Sequence, residues 1–115
     1  MAEASVSLSK EPKVISLDPQ FMGDVLEDIR NIGQATGTGE KAEAIASKMQ
    51  SRIDTVKDRA ALAADRPKVL SLEWIEPLIY AGHWVPEMVE MAAGENCFGS
   101  KDAGSGPIEW DELVA

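Results

Sequence analysis

Between positions 73 and 84 the chain reads EWIEPLIYAGHW, and in those residues it places two of its three tryptophans, its only tyrosine and its only histidine. Trp74, Tyr80, His83 and Trp84 stand among Pro77, Leu78, Ile79 and Gly82. Aromatic rings on such a stretch can wall a pocket for a large, flat or apolar ligand, or they can cover the edge of the core. Composition alone leaves both readings open. His83 can serve as a metal ligand or a hydrogen-bond donor. With no second His or Cys at ligand spacing, the plainer reading is that it does neither. The carboxylates Glu73, Glu76 and Glu87 can pair for acid–base work, yet their spacing meets no known requirement. Nucleophile-elbow, phosphate-loop and zinc motifs are absent from the sequence. The residues therefore point to binding without bond-making, and not to an enzyme. Cys97 is the single cysteine, which excludes an internal disulfide and a cysteine zinc site. Beside Phe98 it reads as a small buried hydrophobe.

The elements that must position these residues come in two similar copies. EPKVISLDPQ at 11–20 and RPKVLSLEWI at 66–75 share the order Pro-Lys-Val-(Ile/Leu)-Ser-Leu-acid. KVISL at 13–17, bounded by Pro12 and Pro19, reads as a short buried strand. In FMGDVLEDIRNIG, Phe21, Val25, Ile29 and Ile32 recur at helical spacing, and Gly33 supplies a stop. Residues 34–39 read as a loop. From 40 to 63, Ile45, Met49, Ile53, Val56 and Ala60 form one apolar stripe on a long helix. Such a helix spans roughly 36 Å, a length suited to bridging two lobes, although an arm of a helical hairpin has the same signature. Pro67 ends it by disfavouring helical geometry at Arg66. KVLSLEW gives the second strand, near 68–72, and IEPLIYAG an apolar loop turning at Pro77. WVPEMVEMAAG gives a short helix with Pro86 in its first turn, Glu87 at its positive start and Gly94 at its end. A glycine-rich loop follows, and IEWDELVA reads as a helix start or strand-to-helix turn. The predicted organisation is a flexible tail at 1–11, a first unit at 12–37, the long helix at 38–66 and a second unit at 67–115. The fold class is α/β, two strand–loop–helix units joined by one long helix. Ligands in such folds sit at the carboxyl ends of strands, where both DPQ and EWIEPLIYAGHW fall.

The chain has 115 residues, so it is one small domain or a piece of a larger one. Its net charge of −9 disfavours nucleic acid and anionic membrane as partners. The start MAEASVSLSKEPK has neither the basic nor the apolar region of a signal peptide, and no apolar run reaches the roughly 20 residues that span a bilayer. Taken as a native sequence, this predicts a cytoplasmic location.

PKVISLDPQFMGDVLEDIRNIGQATG, the long charged helix, RPKVLSLEWIEPLIYAGHWVPEMVEMAAGENCFG and IEWDELVA together resemble the central part of the cobalamin/iron-siderophore family of ABC-transporter substrate-binding proteins, above all its cobalamin-binding subgroup. The resemblance covers about 12–115, and LEWIEPLIYAGHW and AAGENCFG are its most specific parts. It implies a portion of a bilobed fold joined by one rigid interlobe helix. Residues 13–33 then close the first lobe and 68–115 open the second. It further implies that Trp74, Glu76, Pro77, Tyr80, Gly82, His83 and Trp84 face the cleft, with Asp18, Pro19 and Gln20 on the opposite rim. The implied ligand is cobalamin or a related metal chelate, held without covalent attachment. The implied partners are ABC-transporter membrane subunits, and the implied location is extracytoplasmic. Family members are more than twice this length, so weak binding is expected of this shortened form. An alternative is an interaction protein that has lost ligand binding and dimerises on the old cleft surface. Two strands alone are marginal, which predicts a homo-oligomer covering Ile45, Met49, Ile53 and Val56.

Overall fold

The structure is a computed structural model that describes residues 12–101 and 103–114; the tail expected at 1–11 lies outside them. The first helix, α1 (Met22–Thr36), starts where Asp24 reaches back to accept the backbone N–H groups of Phe21 at 2.9 Å and Gln20 at 3.0 Å. This satisfies donors at a helix start and puts negative charge at its positive end. The helix runs through Gly33 and stops at Gly37, whose φ of 70° is left-handed. The stop expected at Gly33 is thus four residues early. Gly33 does a different job: it is buried, and a β-carbon there would meet that of Ala42 at 2.2 Å. Its missing side chain lets α1 approach the next helix, α2.

Helix α2 (Gly39–Ala60) is continuous, as the apolar stripe predicts. Its contact with α1 is made on another line, however: Ala42 and Ala46 are the buried positions. The stripe itself stays largely open, with Ile45 52% and Val56 45% exposed. Across the helix pair, Arg30 Nε donates to Glu43 Oε2 at 2.7 Å, and the Ser47 hydroxyl donates to Glu43 Oε1 at 2.9 Å. The guanidinium first, and the hydroxyl after it, hold the Glu43 carboxyl below its ordinary 4.5. A folded value below the unfolded one means that this pair stabilises above that pH and is lost as pH falls through the folded value. Arg30→Gln should therefore lower the urea midpoint at about pH 7, by a small amount because both groups are on the surface, and this difference should shrink as the pH falls below 4.5.

Residues 12–20 carry no strand, contrary to the expectation for 13–17. Val14 is 66% exposed, and no described strand pairs with this segment. Of the two copies, only the second forms strands. Its first, β1 (Lys68–Val69), pairs in parallel with β4 (Glu95–Asn96). The crossover between them contains a hairpin and a helix, as a parallel pair requires. The hairpin is β2 (Leu72–Ile75) with β3 (Leu78–Tyr80), so the expected apolar loop is an antiparallel pair turning at a cis Glu76–Pro77 bond. Bulky apolar residues on both sides of Pro77 face one another across the pair as Leu72 with Tyr80, Trp74 with Ile79 and Ile75 with Leu78, and the register is irregular within β2, between Leu72 and Trp74. The third strand of this sheet, β5 (Gly106–Pro107), lies against β3. Helix α3 (Val85–Met91) begins with Pro86 fully buried in its first turn, and α4 (Trp110–Val114) closes the chain. The buried apolar residues, among those described, are Leu26, Ala42, Ala46, Leu78, Ala81 and Ile108, a slender core set in two places. No helix of the described residues is long and apolar enough to cross a membrane.

Candidate ligand-binding site

Two segments far apart in sequence meet where α1 begins and α3 begins. The backbone N–H of Met22 donates to Glu87 Oε2 at 2.7 Å, so a carboxylate from α3 sits at the positive end of α1. Beside it, Gln20 Oε1 and His83 Nδ1 are 3.2 Å apart. The amide group of Gln20 is itself oriented by Asp18, whose side-chain and main-chain oxygens accept from Nε2 at 3.0 and 3.4 Å. Asp18, Gln20 and His83, expected on facing rims, are thus brought into one hydrogen-bonded line. His83 has φ of 53°, a left-handed conformation that costs a non-glycine residue on the order of 1–2 kcal/mol. A backbone bond from its N–H to Ala103 O at 2.9 Å helps hold it there. The Trp84 ring lies 6.1 Å from the imidazole and is tilted 38° to it, and both residues are half-buried.

The second wall of this junction is formed by residues 103–106. Gly82 is buried against it: a β-carbon at 82 would stand 2.3 Å from Gly104 C and 2.4 Å from Ser105 N. Gly82 N–H donates to Ser105 Oγ at 3.2 Å. Tyr80 stacks on Phe98 with ring centroids 6.3 Å apart, and Gly106 lets the phenol pass close to the backbone. Tyr80, Gly82, His83 and Trp84 therefore belong to one neighbourhood at the base of the hairpin. Trp74, Glu76 and Pro77 do not join it. They sit at the hairpin tip, where Trp74 is 61% exposed and its indole N–H donates to Glu76 O at 2.8 Å. The antiparallel register separates tip from base, something a loop reading could not anticipate.

Glu87, which the sequence marks as a helix-start residue and a candidate acid–base carboxylate, also joins α3 to α1 through the Met22 N–H. Asp24, Phe98 and Ser105 were not singled out. Only Asp24 had a local signal, its place in the first turn of a helix. Cys97 is exposed, not buried. No group of three or more His, Cys, Asp or Glu gathers among the described residues. The chemistry on offer is an imidazole with a fixed partner, two aromatic rings and several backbone groups. A separate open groove of about 290 Å³ is lined by Met22, Met49, Ile53, Val56, Met88 and Met91, with Arg52 at its side.

The fold is shared with proteins of known structure. The chain is similar to IsdE of S. aureus, solved complexed with heme, at 21% identity and a TM-score of 0.74, covering 90% of this chain and 41% of that one. It is similar to an ABC transporter substrate-binding protein from Listeria monocytogenes EGD-e at 22% identity and a TM-score of 0.68, covering 86% and 39%. It is also similar to the periplasmic vitamin B12 binding protein BtuF of Vibrio cholerae at 14% identity and a TM-score of 0.70, covering 89% and 40%. The chain thus spans about two fifths of the length of these structures, a portion of their mixed α/β fold. A search of curated proteins found no match. The family model described as periplasmic binding protein matches residues 1–115. Fold and sequence agree, and the chain belongs to the periplasmic binding protein family.

Proposed function

We propose that this chain is the central portion of a solute-binding module of an ABC importer for cobalamin or a related metal chelate. The observation that carries the proposal is the closure of 18–22 onto 83–87, through Gln20 with His83 and Met22 with Glu87. It gathers the aromatic base of the hairpin and the opposite rim at one place, as a ligand cleft requires. Tyr80, His83 and Trp84 line the ligand there; Trp74, Glu76 and Pro77 contribute at the outer end of the same hairpin. Binding occurs without turnover. The membrane subunits of the importer are the partners, and the compartment is extracytoplasmic. The fold neighbours that bind heme and vitamin B12 support a chelate as the ligand class.

The aromatic rings contribute about 0.5–1.5 kcal/mol each beyond their buried area. The chain holds only part of the fold, so the expected affinity is micromolar or weaker, about −8 kcal/mol at most. Trp84→Ala should weaken cobalamin binding several-fold in a calorimetric titration, and Trp110→Ala, on α4, should leave it unchanged. Equal binding by both variants and the parent chain would refute the site.

A second reading is favoured by the open Met49, Ile53 and Val56 stripe: an interaction module that pairs with a second copy over this surface. A sedimenting dimer with no cobalamin response would select it. A monomer at high micromolar concentration would reject it.

A further inference from the structure

The hydrogen bonds on one side of the His83 ring decide what its other nitrogen can do. Gln20 directs its amide N–H groups at Asp18, so its oxygen is the atom presented to His83 Nδ1. An amide oxygen only accepts, which places the imidazole proton on Nδ1 and leaves a lone pair on Nε2. Asp24 secures Gln20 from behind by accepting its backbone N–H at 3.0 Å. Among the described residues no hydrogen bond reaches Nε2. The edge that carries it runs beside Gly104, where a β-carbon would stand 3.6 Å from Cε1 and 3.7 Å from Nε2. A side chain at 104 would begin beside that edge, and glycine puts none there.

We propose that Asp18 and Gln20 hold His83 as its Nδ1–H tautomer so that Nε2 binds the open axial position of the metal in a planar chelate. The inference rests on the ligand-binding reading given above. It narrows the ligand class to chelates whose axial position exchanges. The step is a ligand substitution. The Nε2–metal bond forms as a metal–water bond breaks, the water leaves with its own electron pair, the proton stays on Nδ1 and the metal keeps its oxidation state. Asp18 and Gln20 are positioning residues; they stand where an outer carboxylate or carbonyl stands behind many metal-bound histidines.

The test titrates the full chain separately with hydroxocobalamin and with haemin. Tryptophan fluorescence reports binding and visible absorption reports the axial ligand. A nitrogen-ligated spectrum in one arm identifies corrinoid or porphyrin as the source of the metal. Cyanocobalamin, with cyanide in the exchangeable position, should bind without that spectral change. His83→Ala should keep the fluorescence response and lose the nitrogen-ligated band, and added imidazole should restore it. Gln20→Leu should weaken the ligated form by about tenfold while leaving the thermal midpoint in place. Gly104→Leu, at a position with room for a β-carbon, should block ligation in a folded chain. Identical spectra for the parent and His83→Ala, with fluorescence still responding, would overturn the inference and leave the binding site standing. A band that survives both Gln20→Leu and Gly104→Leu would overturn the positioning role. No fluorescence response in either arm would overturn the binding reading and the inference with it.

Discussion

Gly82→Ala is expected to destabilise the chain by about 3 kcal/mol and to abolish chelate binding. The added β-carbon would lie 2.3–2.5 Å from Gly104 C, Gly104 O and Ser105 N. All three are backbone atoms, so no rotamer change relieves the overlap; residues 103–106 must move away. Moving it breaks the bond from Gly82 N–H to Ser105 Oγ and the bond from His83 N–H to Ala103 O. It also pulls Gly106 from Tyr80 and so detaches β5 from β3. His83 then loses a support of its left-handed backbone, and relaxation swings the ring away from Gln20. Urea unfolding gives the stability change, and a cobalamin titration of the folded variant gives the second effect. Wild-type midpoint and wild-type binding together would show that this close approach does not hold the site.

What was legible in the sequence followed from patterns that need no partner. The long helix was readable because Ile45, Met49, Ile53 and Val56 repeat at helical spacing whatever lies beside them. Pro86 and Glu87 marked the start of α3 because their chemistry at a helix start is local. The strand expected at 13–17 failed for the opposite reason: a strand is made by its neighbour, and Val14, Ile15 and Leu17 are apolar without one. The same segment in the second copy succeeds because β4 returns to pair with it. The hairpin at 72–80 was hidden by its apolar character on both sides of Pro77, where alternation is weak. Gly33 was misread because glycine serves both helix stops and helix crossings, and only the position of Ala42 separates the two. For the site, residue types singled out His83, Tyr80 and Trp84. The grouping with Gln20, and the exclusion of Trp74, depend on register and on a closure across 63 positions of sequence.

The two glycines inside α1 give the sharpest contrast of sign from one substitution. Gly23→Ala should stabilise the chain, by up to about 1 kcal/mol, since alanine restrains the unfolded backbone and favours helix. Nothing lies within 4 Å of a β-carbon there, so no packing term opposes the gain. Gly33→Ala carries the same propensity gain but would set its β-carbon 2.2 Å from that of Ala42, with Gly39 Cα and Thr38 O at 3.4 Å. Ala42 is itself on a helix and has no χ angle to turn, so the axes of α1 and α2 must separate. Separation opens the contact that buries Leu26, Ala42 and Ala46, three of the six buried apolar residues described. A loss of about 2–3 kcal/mol results, the overpacking cost exceeding the helix gain. The changes are far enough apart to add, so the double variant should fall near the sum. Thermal melts of the four proteins decide it. The prediction fails if Gly33→Ala melts at or above the parent temperature, for then the helix crossing does not depend on an absent side chain.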